Sequence, residues 1–164
     1  MKPSSERIPC DGNLSRIIDT RLFGDEMADT LHLEVVTPER KIFEAEVDRV
    51  EVPGLDGEMG ILPGHTELVS QLKPAGLLTY HIGSETGEMA ISDGLVEVVS
   101  DRVTVLANRA TRPEDIDLAH AFKLKEQAEL ELQRAIADPD ADIVHATIEL
   151  DRASVELLIA ERAR

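Results

Sequence analysis

The sequence predicts an α+β protein in which antiparallel strands, arranged as a sandwich or a barrel, precede a two-helix hairpin. Three observations support this prediction: apolar and polar residues alternate between positions 31 and 108, glycines separate the alternating runs, and after position 111 the apolar period lengthens to that of helices. We expect three segments, namely a disordered N-terminal extension over residues 1–26, a sandwich over 27–110 and a helical hairpin over 111–164.

Composition limits the classes of function. The 164 residues include 33 acids against 17 lysines and arginines, so the net charge is −16, and 42% hydrophobic residues are enough for a modest core. This charge repels phosphate backbones, and we therefore expect no nucleic-acid partner. No window approaches the roughly 18 apolar residues of a membrane helix, so we expect no membrane insertion. The single cysteine, Cys10, excludes an internal disulfide.

The first 26 residues lack periodicity because Pro3, Pro9 and Gly12 interrupt them, and we interpret them as a disordered extension. Met27 opens a more regular pattern. The extension is therefore a candidate for an artefact of start-site assignment.

The sandwich segment begins with Leu31, Leu33 and Val35, which alternate with polar residues. Similar runs follow and are divided by Gly83, Gly87, Gly94 and the pair Ser100-Asp101; they lie at residues 76–82, 88–92, 94–100 and 102–107. Their spacing is typical of an antiparallel sandwich or barrel.

The first helix is expected to begin at a capping box, Thr111 to Glu114, and to run to about Ala137. Lys125 and Glu129 fall on one face as an i, i+4 pair. The remaining stripe is apolar: Leu118, Ala121, Phe122, Ala128, Leu132, Ala135 and Ile136.

The second helix follows Asp138-Pro139-Asp140, which we expect to end the first helix and cap the second. It carries two apolar rows, one of Ile143, Thr147, Leu150 and Leu157 and one of Val144, Ile148, Val155 and Ile159. Together they are wider than one antiparallel neighbour covers. The surplus packs either on the sheet of the same chain or on another protein.

No catalytic or metal site is expected. The chain lacks the glycine-rich phosphate and dinucleotide motifs and the G-x-S-x-G motif, and no histidine lies within five residues of another. Asp138, Asp140, Asp142 and Glu149 have the spacing of a calcium loop, but its sixth position is Ile143, where the loop needs glycine. Helix capping explains these acids better.

The most informative stretch runs from Pro53 to His65 and contains four glycines and two prolines. This composition predicts two rigid turns that hold Asp56, Glu58 and His65 outward. A docking loop and a pair of ordinary tight connections are both compatible with the pattern.

This loop, GLDGEMGILPGHTELVS, resembles the epsilon subunit of F-type ATP synthases. So do LHLEVVTPERKIFEAEVDRVEVPG, ISDGLVEVVSDRVTVLAN and the boundary ATRPEDIDLAHA. The resemblance extends from Leu31 to the C-terminus. It implies a flattened antiparallel β-sandwich of about ten strands that rests on the membrane c-ring and the gamma subunit. It also implies a hairpin that either lies folded or extends into the alpha/beta catalytic head.

By the same resemblance the chain is a non-catalytic rotor subunit at the cytoplasmic face of the bacterial inner membrane, where it couples c-ring rotation to gamma and has a hairpin that can inhibit ATP hydrolysis. The c-ring contacts would be Asp56, Gly57, Glu58 and Met59, and the gamma contacts His65, Thr66, Glu67 and Leu68. The alternative is a free-standing sandwich that binds a ligand in a deep apolar pocket.

Some members of the family bind ATP through an I/L-D-x-x-R-A motif in the first helix. The corresponding stretch here is Ile116-Asp117-Leu118-Ala119-His120-Ala121, in which His120 replaces the arginine that would fork onto phosphate oxygens. We therefore expect no tight binding of ATP and no required cofactor, unless Lys123 or Arg152 compensates.

Overall fold

The computed structural model describes residues 30–163, so the expectations for residues 1–26 lie outside the described residues. Eight strands are followed by one 3-10 turn and two helices. The strands are β1 Leu31–Val36, β2 Lys41–Val47, β3 Arg49–Gly54, β4 Gly57–Ile61, β5 Leu68–Gln71, β6 Gly76–Ile82, β7 Glu85–Val99 and β8 Arg102–Thr111. The 3-10 turn is Pro113–Asp115, and the helices are α1 Leu118–Ala137 and α2 Ile143–Arg162.

The strands form one hydrogen-bonded path in the order β2-β1-β8-β7-β6-β3-β4, and β5 pairs with β7. The predicted class, a sandwich followed by a helical hairpin, is confirmed. The strand pairs are antiparallel except β1 with β8, where the last strand returns beside the first in the same direction. Among the described residues there are eight strands rather than about ten, partly because Gly87 and Gly94 lie inside β7 instead of ending strands.

Strand β7 joins the two halves of the sandwich. Its first half pairs with β6 and its second half with β5, while β8 pairs with it on the other side from Ala90 onward. Asp93 and Gly94, which separate the halves, have positive φ values of 49° and 117°. The face directed at the core changes there, from Met89 and Ile91 to Val96 and Val98. One strand therefore serves both layers.

The sandwich core consists of large aliphatic side chains with almost no exposed surface. The alternation of Leu31, Leu33 and Val35 in β1 is confirmed, since all three are fully buried. They pack with residues from the other strands, among them Val47, Val50, Val52, Ile61, Leu78, Met89, Ile91, Val96, Val98, Val103 and Val105. This continuous core makes the sandwich the rigid part of the molecule.

The capping box expected at Thr111 to Glu114 is wrong. Thr111 is the last residue of β8 and pairs with Ala90. Its backbone is therefore part of the β-sheet and is not free to cap a helix. Pro113 starts only the short 3-10 turn. Helix α1 begins later, at Leu118, where the Asp117 carboxylate accepts a hydrogen bond from the His120 backbone N–H at 3.0 Å.

The expected cap of the second helix is also displaced. Helix α1 ends at Ala137, as predicted, and the Asp138 carboxylate accepts from the Asp140 N–H within the connection. The residue that caps α2 is Asp142, whose carboxylate accepts from the backbone N–H of His145. Pro139 therefore lies in the interhelical loop and not in the first turn of α2.

The two helices meet through alanines spaced seven residues apart. The buried residues of α1 are Ala121, Ala128 and Ala135, and α2 buries Ala146, Ala153 and Ala160 together with Leu157 and Ile159. The predicted stripe is therefore only half right, because Phe122 and Ile136 are exposed. The predicted pair of Lys125 and Glu129 is present at 3.9 Å.

Helix α2 attaches the hairpin to the sandwich. It packs on β6, β7 and the 3-10 turn, and α1 packs chiefly on α2. The hairpin therefore lies folded against the chain's own sheet, yet Phe122, Leu130, Ile136, Ile143 and Val144 remain exposed. Neither helix in the described part of the chain has the length and apolarity to span a membrane.

Candidate interaction sites

The β3–β4 turn (residues 54–59) contains the four residues expected to contact the c-ring. Strands β3 and β4 pair up to Gly54 and Gly57, so Leu55 and Asp56 form a two-residue connection. Gly57 has a φ of +148°, which L side chains rarely adopt, and this explains a glycine at the turn. Leu55 and Asp56 are exposed, and Met59 packs partly against the core.

Backbone hydrogen bonds fix this turn to the segment that follows β5. Leu55 N–H donates to the Gln71 carbonyl at 2.9 Å, and Lys73 N–H donates to the Pro53 carbonyl at 2.9 Å. A β-bridge joins Gly54 to Leu72. The turn is exposed, but its first residues are fixed to a neighbouring segment, as a rigid binding surface requires.

The carboxylate of Glu58 is the charged centre of the turn. Its side chain is 64% exposed, and one oxygen lies 3.0 Å from the Lys73 ammonium. Such an exposed pair is weak, so a cation on a partner could replace Lys73 at little cost. With Asp56 beside it, the turn offers two carboxylates to a basic partner.

A second turn, residues 62–65, ends at His65, which is the first of the four residues expected to contact gamma. His65 N–H donates to the Leu62 carbonyl, and Gly64 N–H donates to the Asp101 carboxylate at 2.9 Å. His65 is half-buried, not fully outward as expected, and its Nδ1 lies 2.8 Å from the Thr66 carbonyl oxygen. Two rigid turns are therefore present in the stretch from Pro53 to His65.

The residues of this segment point in different directions. Thr66 and Glu67 are exposed, but Leu68 begins β5 and packs partly against the core. The next residue, Val69, is 65% exposed. An apolar contact from this strand would come from Val69 rather than from Leu68.

An outward apolar row, which the sequence analysis missed, crosses the same face of the sandwich. Leu95 and Leu106 are about half exposed and pair across β7 and β8, and Val36 pairs with Leu106 across β1. The alternation itself contained the signal, because Val96 and Val98 point inward and Leu95 must therefore point outward. Apolar residues grouped on an outer sheet face favour a contact with another protein.

The six residues considered for ATP binding do not converge. Asp117 uses its carboxylate as the α1 cap, and the backbone N–H groups of His120 and, to a lesser degree, Ala119 hold its pKa below the usual 3.8. His120 and Lys123 are exposed, Ala121 is buried and Ile116 is half-buried.

Arg152, the sixth of these residues, lies on α2, and its guanidinium already makes three hydrogen bonds. It donates to Asp93, to Glu149 and to the carbonyl of Pro74. Arg152 is thus not a free replacement for the missing arginine.

A cleft of about 350 Å³ lies between the two helices and β8. Its wall contains Arg109, His120 and Arg152, and its acids are Glu131, Glu149 and Glu156. The acids oppose a polyphosphate at this place. Arg109 is a residue that the sequence analysis did not single out, because nothing in the sequence shows that the end of β8 faces the hairpin.

A larger cavity, about 500 Å³, lies where the end of α2 meets β6, β7 and the 3-10 turn. Tyr80, Met89 and Ile159 contribute apolar surface, and Arg112 and Arg162 are charged residues in its wall. Burial raises the pKa of the Tyr80 hydroxyl. The cavity lies at the junction of sheet and hairpin, which is a different place from the deep apolar pocket inside the sandwich that a free-standing ligand-binding module predicts.

Comparison with known proteins identifies the family. The model of the ATP synthase delta/epsilon chain β-sandwich domain matches residues 30–113. The ATP synthase epsilon chain of Halalkalibacterium halodurans is 44% identical over 133 residues, which cover 81% of this chain and 98% of that protein. The chain belongs to the ATP synthase epsilon chain family. The resemblance inferred from the sequence is thereby confirmed.

Further relatives agree with this assignment. The epsilon chain of Dehalococcoides mccartyi is 42% identical over 82% of this chain and 94% of that protein. Among solved structures, a chain of the Euglena gracilis mitochondrial ATP synthase, described as OSCP/F1/c-ring, matches with a TM-score of 0.69 and 24% identity. The match covers 98% of this chain and 99% of that one, and it supports the fold.

Membership of the epsilon chain family also confirms that the chain is a non-catalytic subunit of the ATP synthase. The family model covers the sandwich and ends at Pro113, at the start of the 3-10 turn. The relatives extend the family assignment into the hairpin, since the first of them covers 133 residues of this chain.

Proposed function

We propose that this epsilon chain is a rotor subunit that docks on the c-ring through the β3–β4 turn and transmits torque to gamma. The observation that carries the proposal is a charged, exposed turn fixed to a rigid core: Asp56 and Glu58 face solvent, while the backbone just before them, from Pro53 to Leu55, is bonded to residues 71–73. A torque-bearing contact needs both an accessible charge and a stiff base. The chain would then lie peripherally, at the cytoplasmic face of a bacterial inner membrane.

Electrostatics would select the partner at this turn. The chain has a net charge of −16, and Glu58 is neutralised only by the weak pair with Lys73. A basic loop of the c-ring would replace Lys73 and gain charge-assisted hydrogen bonds. Gly57 would let the partner approach the backbone of the turn, since no heavy atom lies within 4 Å of the position of a Cβ.

The gamma contact would combine the segment from His65 to Leu68 with the outward apolar row of Val36, Leu95 and Leu106. Thr66 and Glu67 would supply polar contacts at its edge. An apolar centre with a polar rim is the usual arrangement of a protein interface. Co-purification of gamma with the chain from native membranes tests this contact and separates it from a free-standing module, which would elute alone.

The hairpin would inhibit ATP hydrolysis by leaving the sandwich and extending toward the catalytic head. Its helices meet through small alanine side chains, and Val144 and Phe122 remain 70% and 61% exposed in the folded position. Rebuilt as one helix, residues 118–162 would reach roughly 70 Å at 1.5 Å per residue. Two alternative packings of one hairpin form a bistable switch.

ATP is not expected to control this switch tightly. His120 stands where the motif has arginine, Arg152 is engaged by three acceptors, and the cleft between the helices contains three glutamates. Calorimetric titration of the full chain with ATP tests this proposal. Binding in the low micromolar range would contradict it.

The docking proposal is tested by Glu58→Gln, which removes the charge and keeps the shape. We expect severalfold slower proton-driven ATP synthesis in reconstituted vesicles because the charge-assisted contact is lost, with an unchanged circular dichroism spectrum. Glu39→Gln, at an exposed carboxylate in the connection between β1 and β2, is the matched control and should be neutral. Full synthesis by the Glu58→Gln enzyme would overturn the docking assignment.

The switch is tested by a disulfide that locks the hairpin. Ala128 and Ala153 line the same cleft, so Ala128→Cys with Ala153→Cys in a Cys10→Ser background joins α1 to α2. Oxidation should abolish inhibition of ATP hydrolysis in the assembled enzyme, and reduction should restore it. Inhibition that survives oxidation would contradict the extension mechanism.

A further inference from the structure

Arg152 is one of two arginines through which α2 is bonded to the sandwich by charge. Its Nη2 donates to an Asp93 carboxylate oxygen at 2.6 Å, and its Nε donates to the Pro74 carbonyl at 3.2 Å. Its Nη1 donates to Glu149, one turn earlier on α2, at 2.6 Å. The side chain is only 25% exposed, so solvent screens these bonds less than those of the other ion pairs on the hairpin.

The acceptors on the sandwich are held in place by contacts within the sandwich itself. Asp93 has a φ of 49° and precedes Gly94, where an added Cβ would lie 2.0 Å from the Leu106 carbonyl oxygen. Asp93 N–H donates to the Lys73 carbonyl at 3.0 Å, and Lys73 is adjacent to Pro74. The carboxylate and the carbonyl thus form a fixed receptor for one guanidinium.

A second arginine on α2 makes a useful contrast. Arg162 bonds to Glu88 at 2.6 Å near the end of the helix, but its side chain is 52% exposed and this is its sole hydrogen bond among the described residues. Glu88 is itself only 19% exposed, but a single pair with a largely exposed cation contributes less than three bonds to one partly buried guanidinium. The two arginines therefore differ in burial and in the number of acceptors, although both join α2 to β7.

We propose that Arg152 is a positioning residue, a clasp that holds α2 on the left-handed pair Asp93 and Gly94 of β7, and that breaking it frees the hairpin while the sandwich stays folded. This inference builds on the proposed switching of the hairpin. It attributes the folded position of the hairpin mainly to the bonds of one side chain. It also means that Arg152 is not available to bind phosphate.

The guanidinium is required for its shape as well as its charge. Three acceptors surround it in different directions, and a lysine ammonium on a flexible stem cannot reach all three with the same geometry. Asp93 is constrained too, since its left-handed backbone is tolerated by Asp and Asn better than by other residues with a Cβ. Asp93→Asn consequently removes the charge without straining the backbone.

Hydrogen exchange measured on the full chain by mass spectrometry tests the clasp. We expect Arg152→Gln to raise the exchange rate of α2 amides about tenfold, because a partly buried charge-assisted contact is lost. Asp93→Asn should raise the rate less, because the bonds of Arg152 to Glu149 and Pro74 remain, and the double variant should not exceed Arg152→Gln by more than twofold. Arg152→Lys should give an intermediate rate, and exchange in β1 and β8 should not change.

Arg162→Gln is the matched control and should change α2 exchange by less than twofold. The clasp is refuted if α2 exchange in Arg152→Gln equals that of the unaltered chain, if Arg162→Gln has an equal effect, or if β1 and β8 lose protection together with α2. Inhibition of hydrolysis in the assembled enzyme is a separate readout. Faster α2 exchange with unaltered inhibition would leave the clasp standing and reject the switch.

Discussion

The sandwich and the hairpin are both folded, but the side chains packed inside the sandwich are much larger than most of those packed inside the hairpin. The sandwich core buries leucine, isoleucine, valine and methionine to 0–4% exposure. Six of the eight buried residues of the hairpin are alanines, and large apolar residues such as Ile136 and Val144 remain outside. The stable part of the molecule and the part proposed to move are thus distinguished by what they bury.

The energetic consequence follows from buried area. A fully buried Leu or Ile contributes roughly 1.5–3 kcal/mol, whereas an alanine buries little more than one methyl group, worth about 0.8 kcal/mol. Alanines permit close approach of two helices but leave little to lose when they separate. Opening the hairpin as proposed would expose these alanines together with Leu157 and Ile159 of α2, which are fewer large side chains than the sandwich core buries, and each prediction below tests this difference.

The largest effect is expected from Leu78→Ala in the sandwich core. Leu78 is fully buried, so the substitution leaves a cavity and lowers the free energy of unfolding by roughly 2–5 kcal/mol. Urea denaturation measures it. Leu130→Ala, at an exposed leucine of α1, is the control and should cost well under 1 kcal/mol. Equal costs would remove the distinction between the two regions.

The next effect is expected from Gly94→Ala in β7. Gly94 has a φ of +117°, and a Cβ there would lie 2.0 Å from the Leu106 carbonyl oxygen, so the strand that serves both layers must shift. We expect a loss of roughly 3 kcal/mol in thermal or urea unfolding. The control is Gly83→Ala, which also has a positive φ, 59°, but no neighbouring heavy atom within 4 Å. It should cost roughly 1 kcal/mol.

These two regions also differ in how far the sequence predicted them. In the sandwich, strict alternation at Leu31, Leu33 and Val35 specified the buried face directly, because a strand has one period and one core. The same rule failed at Gly94, where two left-handed residues change the inward face without ending the strand. The sequence alone does not show whether a glycine in an alternating run ends the strand or lies inside it.

The hairpin was harder to predict from the sequence because more than one residue is suited to cap a helix. Thr111 is a good helix cap, but pairing with Ala90 in the sheet satisfies its backbone first, and Asp117 caps α1 instead. The exposed β3–β4 turn was foreseen from its glycines, whereas the engagement of Arg152 by Asp93 was not. That contact joins residues 59 positions apart, and no local pattern encodes it.

A moderate effect, confined to the hairpin, is expected from Ala135→Leu. Ala135 is buried on α1, which packs chiefly on α2, and it does not line the cleft between the helices, so a larger side chain forces the helices apart at a cost of roughly 2 kcal/mol. Hydrogen exchange should rise in α1 and α2 and stay constant in β1, β7 and β8. Glu126→Leu, at an exposed position of the same helix, is the control. Loss of protection in the sandwich as well would show that the two regions unfold as one unit.

The smallest effect is expected from the charge on the α1 cap, and it depends on pH. Backbone N–H groups of His120 and Ala119 hold the pKa of Asp117 below 3.8, so its ionised form stabilises the start of α1. The stabilisation is complete above pH 3.8 and is lost as the pH falls through the lowered pKa of the folded state. Exchange at the first turn of α1 should accelerate over that range.

Asp117→Asn separates capping from charge in this last case. Asparagine also accepts the His120 N–H but does not titrate, so the first turn of α1 should show no acceleration of its own over the same pH range. The sandwich core, whose buried side chains are apolar apart from Ser92, should be indifferent to the substitution. A pH-dependent difference between the two chains in β1 or β8 would mean that the cap acts on the whole fold, because the hairpin and sandwich would then share one cooperative transition.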